Sequence, residues 1–436
     1  MTLCGLSEVE ITPPLNCAIP GYLKDRFASG IKDPLFAKAL VIESDGTAAA
    51  IIVLDALYAL RPQADKIRQR VAQATSIPVK NILVSATHTH TGPPIRPARS
   101  NGEVYAEYLQ CMVERAADAA ILAFNKREEA FIGFGSGREN DIAFNRRLFM
   151  KDGTVKTNPG YDSGAVDYAG PVDPEVTVVR IDRPNGEPLG VVSNFACHTD
   201  TVSGAEYCAD YPGTLSATLK KVLGQDVVSL FILGACGNIN HLNFLKPKNI
   251  RPLHYQKMGR ILAGEIIRVR EKIILPEEPG ELPLAVNSAH FTADLISPTP
   301  EQLNEAQCII DNPESTFNET YFANSIIKTA DETQKSTEVE IQTLSLDDLA
   351  ISGLPAEIFV EFGLQIKEKS PFKFNIIDTL CNGSTTGYIC TREAYEQGGY
   401  EPYLGPFNRN AHDTGERIAQ SAIDLLHASQ PAIQAV

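Results

Sequence analysis

The sequence predicts an α/β protein: mixed, largely buried β-sheets flanked by helices, with the active site at the C-terminal ends of the strands. Three observations predict it. Short runs rich in Val, Ile and Leu recur without polar alternation, as in strands covered on both faces. Stretches of helical period lie between them. The apolar runs end in polar or Gly-rich turns carrying His, Asn or Glu, and strand ends of open α/β sheets are where ligands bind.

The runs are Ala49–Leu54, Asn81–Ala86, Val176–Ile181, Val191–Ala196, Val228–Leu233 and Leu349–Leu354. Between the first two, Gln63–Ala74 places Ile67, Val71 and Ala74 on one face, so the three segments read as a βαβ unit. Helical spacing also predicts Val104–Phe124, Tyr211–Leu223 and Tyr255–Lys272. Pro355 suits a first helical position, so a helix over EIFVEFGLQIK is expected to hold Glu357 in its first turn, where the dipole favours a carboxylate. A short amphipathic helix is expected at Ile418–Leu426. Residues 136–175, rich in Gly, Asn, Asp and Pro, read as long loops. Leu275–Leu284 (LPEEPGELPL) reads as a linker, and residues 285–345 as a helical insertion. Residues 1–436 are therefore expected to form one catalytic domain with an insertion; a division near 280 is the alternative.

The chain of 436 residues carries a net charge of −15, which argues against nucleic acid or an anionic membrane as partner and points to a small-molecule substrate. The start, MTLCGLSEVEITPP, lacks the features of a secretory signal. No apolar run approaches the ~18 residues of an integral membrane segment. Nine scattered cysteines without a CxxC pair fit free thiols in a reducing compartment, so a soluble cytoplasmic protein is expected. Its oligomeric state is open.

The chemistry concentrates at strand ends. In LVSATHTHTGP (83–93), a strand running into the turn would put His88 and His90 on one side and Thr89 on the other. VVSNFACHTD ends in His198, SLFILGACGNINH in a turn with Asn238, Asn240 and His241, and LAISGLPAE in Glu357. STTGYICTREAY places Tyr388 in a short β-like run. Imidazoles and a carboxylate at successive strand ends are what a catalytic zinc needs. The metal would lower the pKa of its water to ~7 and polarise a carbonyl. Asn238 and Asn240 could present an oxyanion site, although turn formation alone explains them. Arg96, Arg99, Arg146 and Arg147 are candidates to line an opening for polar or anionic groups, with a solvated surface the preferred reading for all but Arg146, and Asp210 is a candidate partner of the site. Cys197 and Cys236 are nucleophile candidates only if a cationic neighbour lowers the thiol pKa.

Taken together, THTHTGP, NFACHTD, the LPAE segment and GYICTREAYEQGGYE resemble the neutral/alkaline non-lysosomal ceramidase family, as does GLSEVEITPP followed by IPGY. The resemblance runs from Gly5 to about Tyr403. It implies a catalytic domain with one zinc (Zn2+) per chain and a metal-activated water that attacks an amide carbonyl. Carried over residue by residue, it implies His88, His198, Glu357 and Tyr388 as metal ligands. His90 becomes a pocket residue that binds substrate or moves a proton, and Arg146 in IAFNRRLF faces the substrate. Where the family has Gly-Asp-Val-Ser-Pro-Asn, this chain reads GNIN at 237–240, with Asn240 on the substrate side at the serine's place. The family's extra C-terminal β-domain is expected to be missing. The expected activity is zinc-dependent hydrolysis of an amide (N-acyl) bond in a small, polar substrate. An ester or lactone, ceramide itself, and a non-catalytic metal-binding role are the alternatives.

Overall fold

The computed structural model describes residues 1–98, 103, 105–383, 387–405 and 407–430, and in it three sheets share one core. In the first, β1 (Leu3–Glu10), β2 (Phe36–Ser44) and β3 (Thr47–Leu54) pair antiparallel. Helix α1 (Arg61–Ala74) then crosses over to β4 (Ile82–Ala86), parallel to β3, and α2 (Ala106–Asn125) joins the same face. The second sheet repeats the plan with β5 (Phe131–Arg138), β6 (Glu175–Asp182) and β7 (Pro188–Phe195). Helix α3 (Asp210–Leu223) leads to β8 (Val228–Leu233), parallel to β7, and α4 (His254–Lys272) packs beside α3. The third begins with β9 (Leu284–Asp294), then the pair α5 (Pro300–Asp311) and α6 (Phe317–Ala330), then β10 (Ser336–Leu346) and β11 (Leu349–Gly353). Helix α7 (Val360–Lys369) crosses to β12 (Phe374–Asp378), parallel to β11, and α8 (Thr414–Ala428) packs on α7.

The continuous apolar runs are explained by this arrangement. One face of each sheet turns inward: Ile51, Val53 and Leu83 meet Val179, Val192, Leu230 and Ile232, and these meet Leu344, Ile351 and Ile376. The opposite faces take helices, α1 and α2 on the first sheet, α3 and α4 on the second, α7 and α8 on the third. Burying one such Ile, Leu or Val contributes about 1.5–3 kcal/mol, so strands with two apolar faces bind both layers together. The alanine face of α2 (Ala116, Ala117, Ala119, Ala120, Ala123) lets it lie close on the first sheet. Gly5 is required there: a Cβ would stand 1.9 Å from the Ala123 carbonyl oxygen.

Three local expectations are corrected. Glu357 is not in the first turn of a helix. It belongs to a two-residue strand, Glu357–Ile358, paired with Tyr388–Ile389, and α7 starts only at Val360. Residues 136–175 are not all loop: Arg147–Met150 pairs with Val155–Thr157 and Ala165–Tyr168 in a small sheet. Strands this short leave no periodic signal. Residues 285–345 are helical only in the middle, because β9 and β10 form a long hairpin that belongs to the third sheet.

Asp378 ends β12 and is fully buried. Burial pushes its carboxyl up to about 7, against the Ser85 hydroxyl and Cys381 thiol that favour the charged form. In the unfolded chain the group releases its proton near 3.8. The folded state therefore binds the extra proton between pH 4 and pH 7, and the stability it contributes is lost as pH rises through that window, on the order of 4 kcal/mol. Asp378→Asn removes this loss. Thermal melts should show the variant gaining on the parent steadily from pH 5 to pH 8; a pH-independent difference between the two would refute the assignment.

Candidate metal centre

The C-terminal ends of the parallel strands converge where the three sheets meet. The turns after them are tied together: His90 N–H donates to the Thr199 carbonyl (3.2 Å) and the Thr199 hydroxyl to that of Thr87 (2.6 Å). Thr379 N–H donates to Leu233 and Asn382 N–H to Val84. The strand stops at Ala86, so period-two alternation does not place the two histidines. His88 instead has φ 65°, a left-handed conformation that turns its ring back into the site. Gly237 allows the turn after β8 to lie against Glu357, since a Cβ there would be 2.6 Å from the Glu357 carbonyl oxygen.

Three acceptor atoms face one another. His88 Nε2 lies 3.2 Å from His198 Nε2 and 3.3 Å from Glu357 Oε2, and His198 Nε2 lies 3.5 Å from the same oxygen. Both tautomers are determined. His88 Nδ1 meets the Leu57 carbonyl at 2.8 Å and His198 Nδ1 the Cys236 carbonyl at 2.9 Å. A carbonyl only accepts, so each Nδ1 carries a hydrogen and each ring turns its Nε2 inward, the nitrogen through which it would bind a metal. Burial, with Arg146 nearby, pushes His198 down to about 4, so that ring stays neutral near pH 7. The carboxylate that faces both rings is that of Glu357, which is buried. Its Oε2 is buried and has no donor, while Oε1 accepts from the Tyr58 hydroxyl at 2.5 Å. A buried anionic oxygen without a donor, set against two ring nitrogens, is costly unless a cation sits between them. The edges of a tetrahedron with zinc-like bonds measure roughly 3.3–3.4 Å, close to all three separations. The donor set fits a divalent metal.

His90 comes as near, with its Nε2 3.4 Å from His88 Nε2, so His88, His90 and His198 form one cluster. Its other nitrogen differs, however. The Nδ1 of His90 has no hydrogen bond, the closest charge being Asp200 Oδ1 at 3.7 Å. Tyr22 packs on the His90 ring (5.7 Å between centroids) and donates to Asp200 at 2.5 Å. Ligating histidines almost always have the second nitrogen fixed, as His88 and His198 do. The ring of His90 is therefore held less tightly than theirs.

On the other side, Arg146 donates from Nε to Glu401 Oε1 (2.8 Å) and from Nη2 to the Gly237 carbonyl (2.6 Å). Burial would lower its pKa, but Tyr388 and Glu401 outweigh it and hold the guanidinium charged. Tyr388, cross-strand partner of Glu357, has its ring 5.3 Å from the Arg146 guanidinium and 5.8 Å from the Tyr400 ring. Asn240 is committed elsewhere: it donates to Asn158 (2.5 Å) and accepts from Leu242 N–H (2.8 Å), which orders the turn. Arg96 is half-buried, lines a narrow crevice with Tyr22 and Asp25, and acts electrostatically on Tyr58. Arg99 lies outside the described residues. Asp210 accepts from Thr201 and Val202 N–H and so pins the turn after His198. Burial pushes the Cys197 and Cys236 thiols up, which leaves both protonated and poor nucleophiles.

Two residues escaped the sequence reading. Tyr58 follows β3 in LDALYAL, another strand end beside β4, and the rule that found His88 applies to it equally. Glu401 is wholly buried between Arg146, Arg147 and the Thr157 hydroxyl; only the Asn-Arg-Arg run hinted that an acidic partner was needed. Tyr58→Phe removes the donor that fixes Glu357. Metal affinity should fall about 10–100-fold, as for other partners of metal ligands. Competition with a graded series of chelators measures this; an unchanged affinity would remove Tyr58 from the site.

Residues 3–210 match the family model for neutral/alkaline non-lysosomal ceramidase, N-terminal, a span that contains His88, His90, Arg146 and His198. Among curated proteins, the chain is similar to neutral ceramidase 2 of Arabidopsis thaliana: 26% identical over 212 residues, 46% of this chain and 27% of that protein. To the neutral ceramidase of Pseudomonas aeruginosa it is 24% identical over 219 residues, 47% of this chain and 31% of that protein. The aligned stretches thus cover less than a third of these relatives' own length. The crystal structure of the Pseudomonas aeruginosa neutral ceramidase shares the fold, with a TM-score of 0.73 at 17% identity over 100% of this chain and 76% of that one. Residues 3–210 thus match the N-terminal domain of the neutral/alkaline non-lysosomal ceramidase family, and the chain shares the fold of the Pseudomonas aeruginosa enzyme.

Proposed function

We propose that this chain is a zinc-dependent hydrolase that cleaves the amide (N-acyl) bond of a small, polar substrate. The observation that carries the metal is the buried, donorless Oε2 of Glu357 set against two inward imidazole nitrogens. His88, His198 and Glu357 would hold the ion, with Tyr388 beside them as the fourth candidate. Imidazole with one carboxylate suits zinc rather than magnesium or calcium. When bound, zinc supplies Lewis-acid polarisation of the scissile carbonyl and makes water acidic enough to react near neutrality.

The remaining work falls to the protein's own groups. His90, with its loosely held ring at the rim of the cluster, accepts the proton of the attacking water and delivers it to the leaving nitrogen as the C–O bond forms and the C–N bond breaks. Arg146 stabilises the charge that develops on the carbonyl oxygen, and Glu401 with Arg147 holds it in place. Tyr58 orients Glu357. Asn240, occupied by Asn158 and Leu242, shapes the turn on the substrate side and is not placed to act as a nucleophile.

Polarity supports a small hydrophilic substrate. Around the cluster stand Tyr22, Asp200, Arg26 (donating to the His90 carbonyl) and Arg96, none of which suits a long hydrocarbon. Ceramide is the second reading, favoured by the family and the names of its relatives. A panel of N-acyl amino sugars, short N-acyl amines, esters, lactones and ceramide decides between them. Chelator-sensitive amine release from the polar amides, with little from ceramide, is the expected result. Efficient cleavage of ceramide alone would overturn the polar assignment, and faster ester than amide cleavage the amide one. No helix among the described residues is long and apolar enough to cross a membrane. All nine cysteines are unpaired, seven of them buried, which favours a reducing, cytoplasmic location.

A further inference from the structure

Two histidines outside the centre lie close together. His241 directly follows the Ile239–Asn240 strand and His254 opens α4, so they stand at the two ends of the loop 242–253. Their ring centroids are 5.2 Å apart, with the planes tilted by 42°. Across the metal centre the same separation is 4.7 Å for His88 and His198, 4.9 Å for His88 and His90, and 5.7 Å for His90 and His198. The second pair is therefore spaced like the first cluster. Each ring also has one nitrogen that is buried and makes no hydrogen bond, Nδ1 of His241 and Nε2 of His254. Such atoms are uncommon in folded proteins, because the lost hydration is not replaced.

Both rings are suited to coordination. Burial, helped by His254 and His198, pushes His241 down to about 3, and burial with Lys257 lowers His254, so both are neutral at physiological pH. Leu253, which precedes His254, is in a left-handed conformation (φ 64°). We propose that His241 and His254 form a second metal site, a two-imidazole clamp for a late divalent transition ion such as Ni2+, Cu2+ or Zn2+, with water completing its shell. Neutral imidazoles select these ions over magnesium and calcium. Lys257 and the positive end of α4 oppose a cation, and the protein supplies only two donors, so the clamp binds more weakly than the catalytic centre. Occupancy fastens a loop that carries the exposed Lys246, Lys248 and Arg251. That loop begins beside Asn240, in the segment where Asn238 accepts from Arg146 N–H.

The test is a Ni2+ titration of the zinc-loaded protein, followed by calorimetry and by the rate of tryptic cleavage after Lys248. One further equivalent of Ni2+ should bind and slow the cleavage, while Mg2+ and Ca2+ do neither. His241→Ala and His254→Ala should each weaken this second equivalent by about tenfold or more while keeping the zinc and its hydrolytic activity. His88→Ala, in contrast, should keep the Ni2+ site and lose the zinc. The proposal is overturned if folded wild-type protein takes up no second equivalent, or if both variants bind Ni2+ as tightly as the parent.

Discussion

His198→Ala will lose the metal and keep the fold. The parent should contain about one zinc per chain, as a mononuclear catalytic site requires, and the variant close to none. Losing one of two inward ring nitrogens leaves His88 and Glu357 unable to close a tetrahedral shell. The loss in affinity must exceed the 10–100-fold cost of disturbing a ligand's partner, and activity falls with it. His88→Ala should behave alike, since the two rings have the same design: Nδ1 fixed on a carbonyl, Nε2 inward. Elemental analysis with far-UV circular dichroism separates metal loss from unfolding. His90→Ala is the contrast, because a proton carrier can be removed with zinc retained. A His90 variant that loses the metal as completely as His198→Ala would transfer His90 to the ligand set.

Arg146→Lys should lower kcat by about 10²–10³-fold with metal content unchanged, the usual effect of removing one oxyanion donor. Lysine keeps the charge but not the planar fork that reaches Glu401 and the Gly237 carbonyl together. KM should change less than kcat, because the contact strengthens in the transition state. Alanine is the poorer probe. It takes one partner from the buried Glu401, a change that costs about 3–5 kcal/mol when a buried charge is left alone, although Arg147 and Thr157 still hold that carboxylate. A lysine variant with full kcat would remove Arg146 from the reaction.

The strands and their ends were legible because both report local pattern. Continuous apolar runs identified β3, β4, β6, β7, β8 and β11 within a few residues, and the helices between them followed from period. His88, His198 and Glu357 were found by the same strand-end rule, yet the local geometry differed. A left-handed residue, not strand alternation, aims His88, and a two-residue parallel pairing with Tyr388, not a helix dipole, positions Glu357. What sequence could not supply were long-range pairings. Tyr58 meets Glu357 across 299 positions and Arg146 meets Glu401 across 255, and no periodicity encodes which buried carboxylate finds which donor. The β9–β10 hairpin was read as part of a helical insertion because only α5 and α6, which share a small core of their own, carry a strong local signal.

The central claim is that one metal ion is held by His88, His198 and Glu357. Anomalous diffraction from a crystal of the purified protein, recorded on both sides of the zinc absorption edge, tests it most directly. The account predicts a peak at ~2.0–2.2 Å from His88 Nε2, His198 Nε2 and Glu357 Oε2 together. Zinc-replete protein whose anomalous peaks avoid these three atoms would contradict it.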